Sequence, residues 1–290
     1  MGANMPKQTL VMGAVAYAAK VVTIWDGFKE YFVNQGLEFD YVLYSNYERQ
    51  VEALFDGSIQ VAWNSPLAWV RAERMARARG VPIEAIVMRD SDCDLTSVVV
   101  VRADSTINAI ADLKGKTVGV GAVDSPQATL IPLDYLRGQG VVPGADFKVR
   151  RFDVLGGKHG DHIGGERDAA QALMAGEVDA ACMIDGNHLL FVGEGTLPQG
   201  KTRVLAQTPK FDHCNFTVAS TAPKALIETF KTLLLSMSYA DAEVRPLLDL
   251  EGLKAWKLGR TSGYRALEHA VEVTQFYDAE GNIRVADYRY

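Results

Sequence analysis

The sequence predicts an α/β fold of two lobes. Strand-like and helix-like segments alternate along most of its 290 residues, which is typical of sheets covered by helices on both faces. Segments 53–62 and 172–181 each contain the end of an amphipathic helix, a glycine and a short apolar strand. At 48% hydrophobic residues, a chain of this length can build two cores. Because the helix–glycine–strand unit occurs twice, we expect two lobes of similar build with a ligand cleft between them.

The first part of the chain alternates strand and helix from its start. Apolar or alternating segments predict strands at 10–15, 38–44, 59–63, 83–88 and 96–102, the last being a run of β-branched residues. Helical periodicity predicts helices at 21–33, 47–55 and 66–79. The third of these begins with a proline, which favours the first turn of a helix.

A second series of elements starts at 107–113. It continues with strands at 115–121, 147–154, 178–183 and 203–207 and helices at 127–137 and 166–174. Segment 215–220 can return the chain to the first lobe, and helices at 223–237 and 242–250 and a polar, aromatic tail follow. We therefore expect a discontinuous lobe I at 1–98 and 212–290, an inserted lobe II at 99–211, and mainly parallel sheets.

Charge and cysteine content exclude several classes of partner. A formal charge of −6 and a pI near 5.5 give no electrostatic reason to bind nucleic acid or an anionic membrane. Three widely spaced cysteines indicate neither a disulfide framework nor a zinc ribbon. The start of the chain is short and polar, and no apolar run is long enough for membrane insertion. We expect a cytoplasmic protein as the sequence stands, or a periplasmic one if a leader was replaced by the first methionine.

Five short motifs occur in a fixed order. They are YERQVEAL at 47–54, VAWNSPLA at 61–68, DLKGKTVG at 112–119, DSP at 124–126 and GGKH at 156–159. The ordered set, over about residues 9–220, resembles the phosphate/phosphite/phosphonate-binding proteins of ABC importers. This resemblance implies a type II periplasmic-binding-protein fold that closes on a small anionic ligand, needs no cofactor and has an ABC permease as its partner.

Two predicted strand ends carry polar residues directly before a helix. Asn64 and Ser65 follow one strand, and Ser125, Gln127 and Thr129 follow another. Backbone N–H groups and hydroxyls at a helix N-terminus bind oxyanions, but the same residue types also cap helices, and both interpretations are open. The family's loop typically reads Ser-Thr-Ser/Gly after the second strand, whereas this chain has a proline, which lacks a hydroxyl and a backbone N–H.

Four further residues are ligand-binding candidates, three through the resemblance and Tyr17 through its place at a strand end. His159 matches a histidine that donates to the ligand in the family's Gly-x-His-Asp turn. Binders of amine-bearing phosphonates have an acidic residue near the position of Asp185, and that residue contacts the ammonium group of the ligand. Tyr47 and Tyr17 are candidates for the cleft wall. Helix capping by Asp185 and packing of the tyrosines are the structural alternatives.

The glycine-rich loop after His159 departs from the family. It suggests an alternative function, a cytoplasmic lyase, decarboxylase or hydrolase acting on a small carboxylated compound, with His159, His162, Asp161 and Glu166 as acid–base groups. His159, His162 and His213 are an alternative set of ligands for a divalent metal such as Zn or Fe. A solvated surface loop and packed histidines are the simpler explanations. The ordered motifs favour the binding protein.

Overall fold

A computed structural model describes residues 8–160 and 163–290. These residues form two compact units, each with its own sheet. Unit 1 comprises 8–93, 214–261 and 279–281. Unit 2 comprises 94–160, 163–213, 262–278 and 282–290.

Strands and helices alternate in both units. Unit 1 begins with β1 (Leu10–Val15), α1 (Lys20–Asn34), β2 (Phe39–Tyr44), α2 (Tyr47–Asp56), β3 (Val61–Asn64), α3 (Pro66–Arg79) and β4 (Ile83–Arg89). Unit 2 continues with β5 (Ser97–Arg102), β6 (Thr117–Val120), a π-helical turn (Pro126–Leu130), α4 (Ile131–Gly138), β7 (Lys148–Arg151), α5 (Glu166–Ala175), β8 (Ala180–Ile184), α6 (Asp185–Gly193) and β9 (Thr202–Gln207). The chain then adds β10 (Asn215–Ala219), α7 (Lys224–Ser236), α8 (Arg245–Glu251) and β11 (Trp256–Leu258) to unit 1, and α9 (Arg265–Thr274) to unit 2.

Most strands of each sheet run in one direction, as expected, but each sheet also contains antiparallel neighbours. In unit 1 the strand order is β11-β4-β10-β3-β1-β2, and β10 runs antiparallel to both of its neighbours. In unit 2 the order is β7-β6-β8-β5-β9, and β5 is antiparallel to both of its neighbours. β5 and β10 are the first strands after the chain passes from one unit to the other. Neither is joined to a sheet neighbour by the helical crossover that imposes a parallel direction.

The C-terminal tail contains two elements that the sequence did not indicate, β11 and α9. The predicted boundaries assign the whole tail to lobe I, whereas 262–278 and 282–290 cluster with unit 2. The reason lies in α9, which buries Leu267, Ala270 and Val271 and is joined to α4 by a hydrogen bond of 2.6 Å between Nδ1 of His269 and Oδ2 of Asp134.

The core of unit 2 lies on both faces of its sheet. Val98 and Val100 of β5 are buried with α5 and α6, whereas Val99 and Val101 are buried on the opposite face. This alternation follows from the two-residue period of a strand, and burial of each valine stabilises the fold by about 1.5–3 kcal/mol. In the part of the chain that the structure describes, no helix is long and apolar enough to cross a bilayer.

Candidate functional site

In unit 1, the junction of β3 and α3 is a capped helix start. Ser65 is the N-cap residue, and its Oγ accepts a hydrogen bond of 3.1 Å from the backbone N–H of Ala68. Pro66 occupies the first turn, where a missing N–H costs little. The capping interpretation of Ser65 is confirmed, and its ligand contact stays a prediction.

Asn64 belongs to a buried hydrogen-bond network inside unit 1. Its Nδ2 donates to Oγ1 of Thr217 at 2.9 Å, and its Oδ1 accepts from Nε2 of Gln50 at 2.8 Å. The same Gln50 nitrogen donates to the carbonyl oxygen of Trp63 at 2.8 Å. Asn64 therefore fixes the end of β3 directly before Ser65.

The two predicted tyrosines differ in burial. Tyr47, the first residue of α2, is buried in a cluster that includes Val51 and Ala68, as the packing interpretation expects. Tyr17 is partly buried, and the ammonium group of Lys20 lies 5.8 Å from the centroid of its ring. For both tyrosines the ligand contact stays a prediction.

In unit 2, residues 125–129 form a polar turn before α4. Ser125 is fully buried, and its Oγ accepts a 3.2 Å hydrogen bond from the backbone N–H of Ala128. Thr129 is 4% exposed, and its hydroxyl has no hydrogen-bond partner among the described residues. Leaving a buried hydroxyl unsatisfied costs about 1–3 kcal/mol, so the 125–129 turn has a polar group that a bound molecule would satisfy.

Gln127 ties the 125–129 turn to the rest of unit 2. Its backbone oxygen accepts a hydrogen bond of 2.5 Å from Oγ of Ser97. Its Nε2 donates to the carbonyl oxygen of Gly160 at 2.8 Å and to Oε1 of Glu166 at 3.2 Å, while its Oε1 lies 3.4 Å from Nε2 of His213. The predicted candidates Gln127, His213 and Glu166 are therefore in one hydrogen-bonded cluster.

Glu166 is a fully buried acid at the start of α5. Its Oε2 accepts hydrogen bonds from the backbone N–H of Ile184 at 3.0 Å and from Nδ2 of Asn187 at 2.8 Å. Burial raises the pKa of Glu166 to about 7, although its hydrogen bonds with Asn187, Ile184 and Gln127 act in the opposite direction. Burial, with a smaller effect of Glu166, raises the pKa of the Cys182 thiol to about 12. Glu166 therefore changes its charge near neutral pH.

The loop that carries His159 is anchored by Asp124. Oδ2 of Asp124 accepts from the backbone N–H groups of Gly157 at 2.8 Å and of His159 at 3.0 Å. His159 is buried, and a Cβ atom at Gly160 would overlap the side chain of Ser125. The expectation of a solvated surface loop is therefore wrong for His159 and Gly160, which pack against the 125–129 turn.

Two members of the predicted catalytic and metal sets, Asp161 and His162, lie outside the described residues. His213 is buried beside Gln127, and its carbonyl oxygen accepts a 2.9 Å hydrogen bond from the hydroxyl of Tyr264. The alternative catalytic role of His159 and the alternative metal set of His159, His162 and His213 stay predictions.

Asp185 begins α6 and is partly buried. Its Oδ2 accepts from Oγ1 of Thr96 at 2.8 Å, and its Oδ1 accepts from the backbone N–H of Gly186 at 2.7 Å. The N-cap residue is Ile184, so the expectation that Asp185 is the cap is wrong by one position. Asp185 lies in the first turn, where a negative charge is favourable.

Sequence reasoning missed four residues that hydrogen-bond to Asp185, Gln127, the His159 loop and Glu166. Thr96 and Ser97 precede or begin β5, Asp124 precedes the 125–129 turn, and Asn187 follows Asp185. Asp124 stands within the DSP motif at 124–126 and Asn187 lies two residues after the candidate Asp185, so their positions gave a signal. Thr96 and Ser97 gave none, because their partners are distant in the chain.

Comparisons with known proteins identify the family. A family model described as "ABC transporter, phosphonate, periplasmic substrate-binding protein" matches residues 12–264. PhnD1 from Prochlorococcus marinus in complex with methylphosphonate superposes with a TM-score of 0.68 at 18% identity, covering 93% of this chain and 99% of that one. XAC2383 from Xanthomonas citri bound to ATP gives a TM-score of 0.70 at 14% identity, covering 92% and 98%.

A third structure is a binding protein component of an ABC phosphonate transporter from Pseudomonas aeruginosa. It has a TM-score of 0.64 at 15% identity and covers 97% of this chain and 91% of that one. At such identities the three structures show a shared two-lobed α/β fold. Since the family model spans most of the sequence, this chain belongs to the periplasmic substrate-binding proteins of phosphonate ABC transporters, which bind a small anionic ligand and work with a permease.

Proposed function

We propose that the ligand is a phosphonate or a closely related oxyanion and that the 125–129 turn supplies its main contacts in unit 2. The Thr129 hydroxyl carries this proposal, because it is buried and has no partner among the described residues. It lies one helical turn after Ser125, whose Oγ already accepts a backbone hydrogen bond and whose proton is therefore directed elsewhere.

The chemistry of the 125–129 turn suits an oxyanion. The first N–H groups of a helix lack intrahelical partners and lie at the positive end of the helix dipole. In this turn Pro126 has no N–H, and the N–H groups of Ala128, Thr129 and Leu130 donate to Ser125. The donors offered to the oxygens of a phosphonate or sulfonate are therefore the hydroxyls of Ser125 and Thr129, at the positive end of the helix dipole. His159 is the further donor candidate of unit 2, because its loop packs on Ser125.

The remaining candidates have weaker support. Ser65 has the corresponding position at the start of α3 in unit 1. Tyr47 and Asp185 are proposed contacts through the family resemblance, and Tyr17 and Asn64 through their places at strand ends. Asn64 and Asp185 already hold the structural hydrogen bonds described above. We propose that the protein acts in the periplasm, because the family to which it belongs is periplasmic.

A thermal-shift screen tests the ligand class. Methylphosphonate, phosphate, methanesulfonate and acetate should be compared, each with EDTA and with zinc. A ligand at one hundred times its Kd stabilises the folded protein by about 2.7 kcal/mol. We expect stabilisation by at least one phosphonate or sulfonate in EDTA. Stabilisation by zinc alone would support the metal alternative, and no response to any anion would overturn the proposal.

The variant Thr129→Val tests the turn, with Thr229→Val as its matched control. The hydroxyl of Thr229 is exposed and bonds to the carbonyl oxygen of Ala225 within α7. Thr129→Val should weaken anion binding about tenfold to a hundredfold, since a hydrogen bond to a charged group contributes about 1.5–3 kcal/mol. It should also stabilise the ligand-free protein, because the unsatisfied hydroxyl is removed. Unchanged anion affinity would refute the assignment.

A further inference from the structure

We propose that Glu166 is a positioning residue for the 125–129 turn, and that it makes this protein take up a proton when it binds an anion and prefer monoanions over dianions at neutral pH. The inference rests on the proposed function of the 125–129 turn. It concerns a residue that the sequence suggested as a catalytic acid, and it assigns that residue a different role.

The first argument is the position of the carboxylate. Gln127 belongs to the 125–129 turn, and its Nε2 donates to Oε1 of Glu166 at 3.2 Å. A single side-chain hydrogen bond therefore separates the carboxylate from the proposed anion contacts. An anion bound at Thr129 would meet a second negative charge inside unit 2. Like charges disfavour each other strongly where water is excluded.

The second argument is the absence of a compensating cation. The groups that bond to Glu166 are Gln127, Ile184 N–H and Asn187, all of them uncharged. Titratable side chains near this cluster include the Cys182 thiol on β8, Asp185 at the start of α6 and His159 in the loop that packs on Ser125. His213 has its Nε2 3.4 Å from the Gln127 amide oxygen and lies beside Asp92 and Cys214. None of the described residues forms an ion pair with Glu166. A buried carboxylate without a cationic partner is most easily neutralised by taking up a proton.

The third argument is the effect of that proton on Gln127. Oε2 of Glu166 accepts from a backbone N–H, which cannot reverse its role, so the proton belongs on Oε1. A protonated Oε1 must donate, and Gln127 offers an acceptor only when its amide group turns over. This rotation of the Gln127 amide breaks its 2.8 Å hydrogen bond to the Gly160 carbonyl oxygen and directs Nε2 toward His213. The protonation of Glu166 thereby sets the orientation of a side chain within the turn.

These steps define how binding depends on charge. A bound anion raises the proton affinity of Glu166, so the complex takes up a proton at pH values where free Glu166 is ionised. Reciprocally, affinity falls as the pH rises and Glu166 becomes ionised. A dianion suffers twice the repulsion of a monoanion, so the protein should discriminate against dianions most strongly above neutral pH.

Calorimetry on the unmodified protein tests the proton uptake. Methanesulfonate is the probe, because its own charge stays constant between pH 5.5 and 8.5. Titrations at neutral pH in buffers of different ionisation enthalpy should give binding enthalpies that depend on the buffer, corresponding to uptake of a substantial fraction of one proton. Methanesulfonate binding with an enthalpy independent of the buffer would overturn the inference.

The variant Glu166→Gln, with Glu177→Gln as control, assigns the proton. Glu177 is exposed near the end of the same helix and pairs with Arg150 at the surface. At pH 8.5, Glu166→Gln should bind methylphosphonate about tenfold more tightly than the unmodified protein, and its affinity for methanesulfonate should not change with pH. Glu177→Gln should keep the pH dependence of the unmodified protein.

The outcomes separate this inference from the proposed function. If no oxyanion binds the unmodified protein at any pH, the proposed function fails. If oxyanions bind but the pH dependence survives in Glu166→Gln, only the inference about Glu166 fails. Should Glu166→Gln not fold, Glu166→Asp takes its place, and the absence of proton uptake by the unmodified protein would still overturn the inference.

Discussion

Replacing Glu166 by glutamine should stabilise the ligand-free protein at alkaline pH but not in acid. Burial raises the pKa of Glu166 from 4.5 to about 7, so the folded protein holds this proton more tightly than the unfolded chain. Below pH 4.5 both states are protonated and the contribution is fully present. Between pH 4.5 and 7 only the unfolded chain releases the proton, and stability falls as the pH rises. Above about pH 7 the loss is complete.

The size of the effect follows from the two pKa values. Their difference corresponds to about 3 kcal/mol at 1.36 kcal/mol for each pH unit. The stability of Glu166→Gln relative to the unmodified protein should therefore rise by up to about 3 kcal/mol from acid to alkaline pH. The mismatched amide hydrogen bonds of the new glutamine add a constant offset, which does not change with pH.

Urea unfolding at pH 5, 6, 7 and 8.5 measures this difference. The four tryptophans all lie in unit 1 and Glu166 lies in unit 2, so tryptophan fluorescence and far-UV circular dichroism should be followed together. The pH-dependent gain in stability should appear in the unfolding transition that circular dichroism detects and that tryptophan fluorescence, which reports on unit 1, does not. The variant Glu177→Gln should show no such trend. A stability difference between Glu166→Gln and the unmodified protein that stays constant across this pH range would refute the argument from burial.

Three further substitutions test the neighbouring structure. In Gly160→Ala the new Cβ overlaps the Ser125 side chain, so this variant should lose anion binding. Gly144→Ala introduces the same left-handed backbone strain in open space and should lower only the Tm. Equal anion affinity of the two variants would contradict this prediction. Asp124→Ala leaves two buried backbone N–H groups unpaired and should destabilise unit 2 by about 2–5 kcal/mol, with faster hydrogen exchange at 157–159; unchanged exchange would count against the anchor. Arg89→Met removes the cation that pairs with the buried carboxylates of Asp92 and Glu251, and it should lower the stability of unit 1 by about 3–5 kcal/mol in urea unfolding. Unchanged stability would show that the two carboxylates remain solvated.

The helix starts were predictable from the sequence because their chemistry is local. Ser65 before a proline and Ser125 before a proline both indicate an N-cap followed by a first turn, and both are N-caps in the structure. The π-helical turn after Ser125 was not predictable, because periodicity does not distinguish one wide turn from the α-helix that continues it.

Features that depend on distant contacts were beyond the sequence. The polar composition of the tail hid α9, whose small apolar face is buried where α4 and the π-helical turn at Pro126–Leu130 lie against the helix. In the same way, Glu166 follows two glycines and has the sequence features of a surface residue. It is buried because Gln127, Ile184 and Asn187 converge on its carboxyl group from other parts of the chain.

The division of roles between the two strand ends follows from their hydrogen bonds. An anion requires donors. At the end of β3, the Asn64 amide donates to Thr217, so its loss should mainly affect the stability of unit 1. In the 125–129 turn, the Thr129 hydroxyl is a buried donor without a partner among the described residues, and an acid that titrates near neutral pH bonds to the adjacent Gln127. On the proposed function, unit 2 holds the groups whose energies change most when an anion binds the 125–129 turn, and ligand discrimination should depend on them.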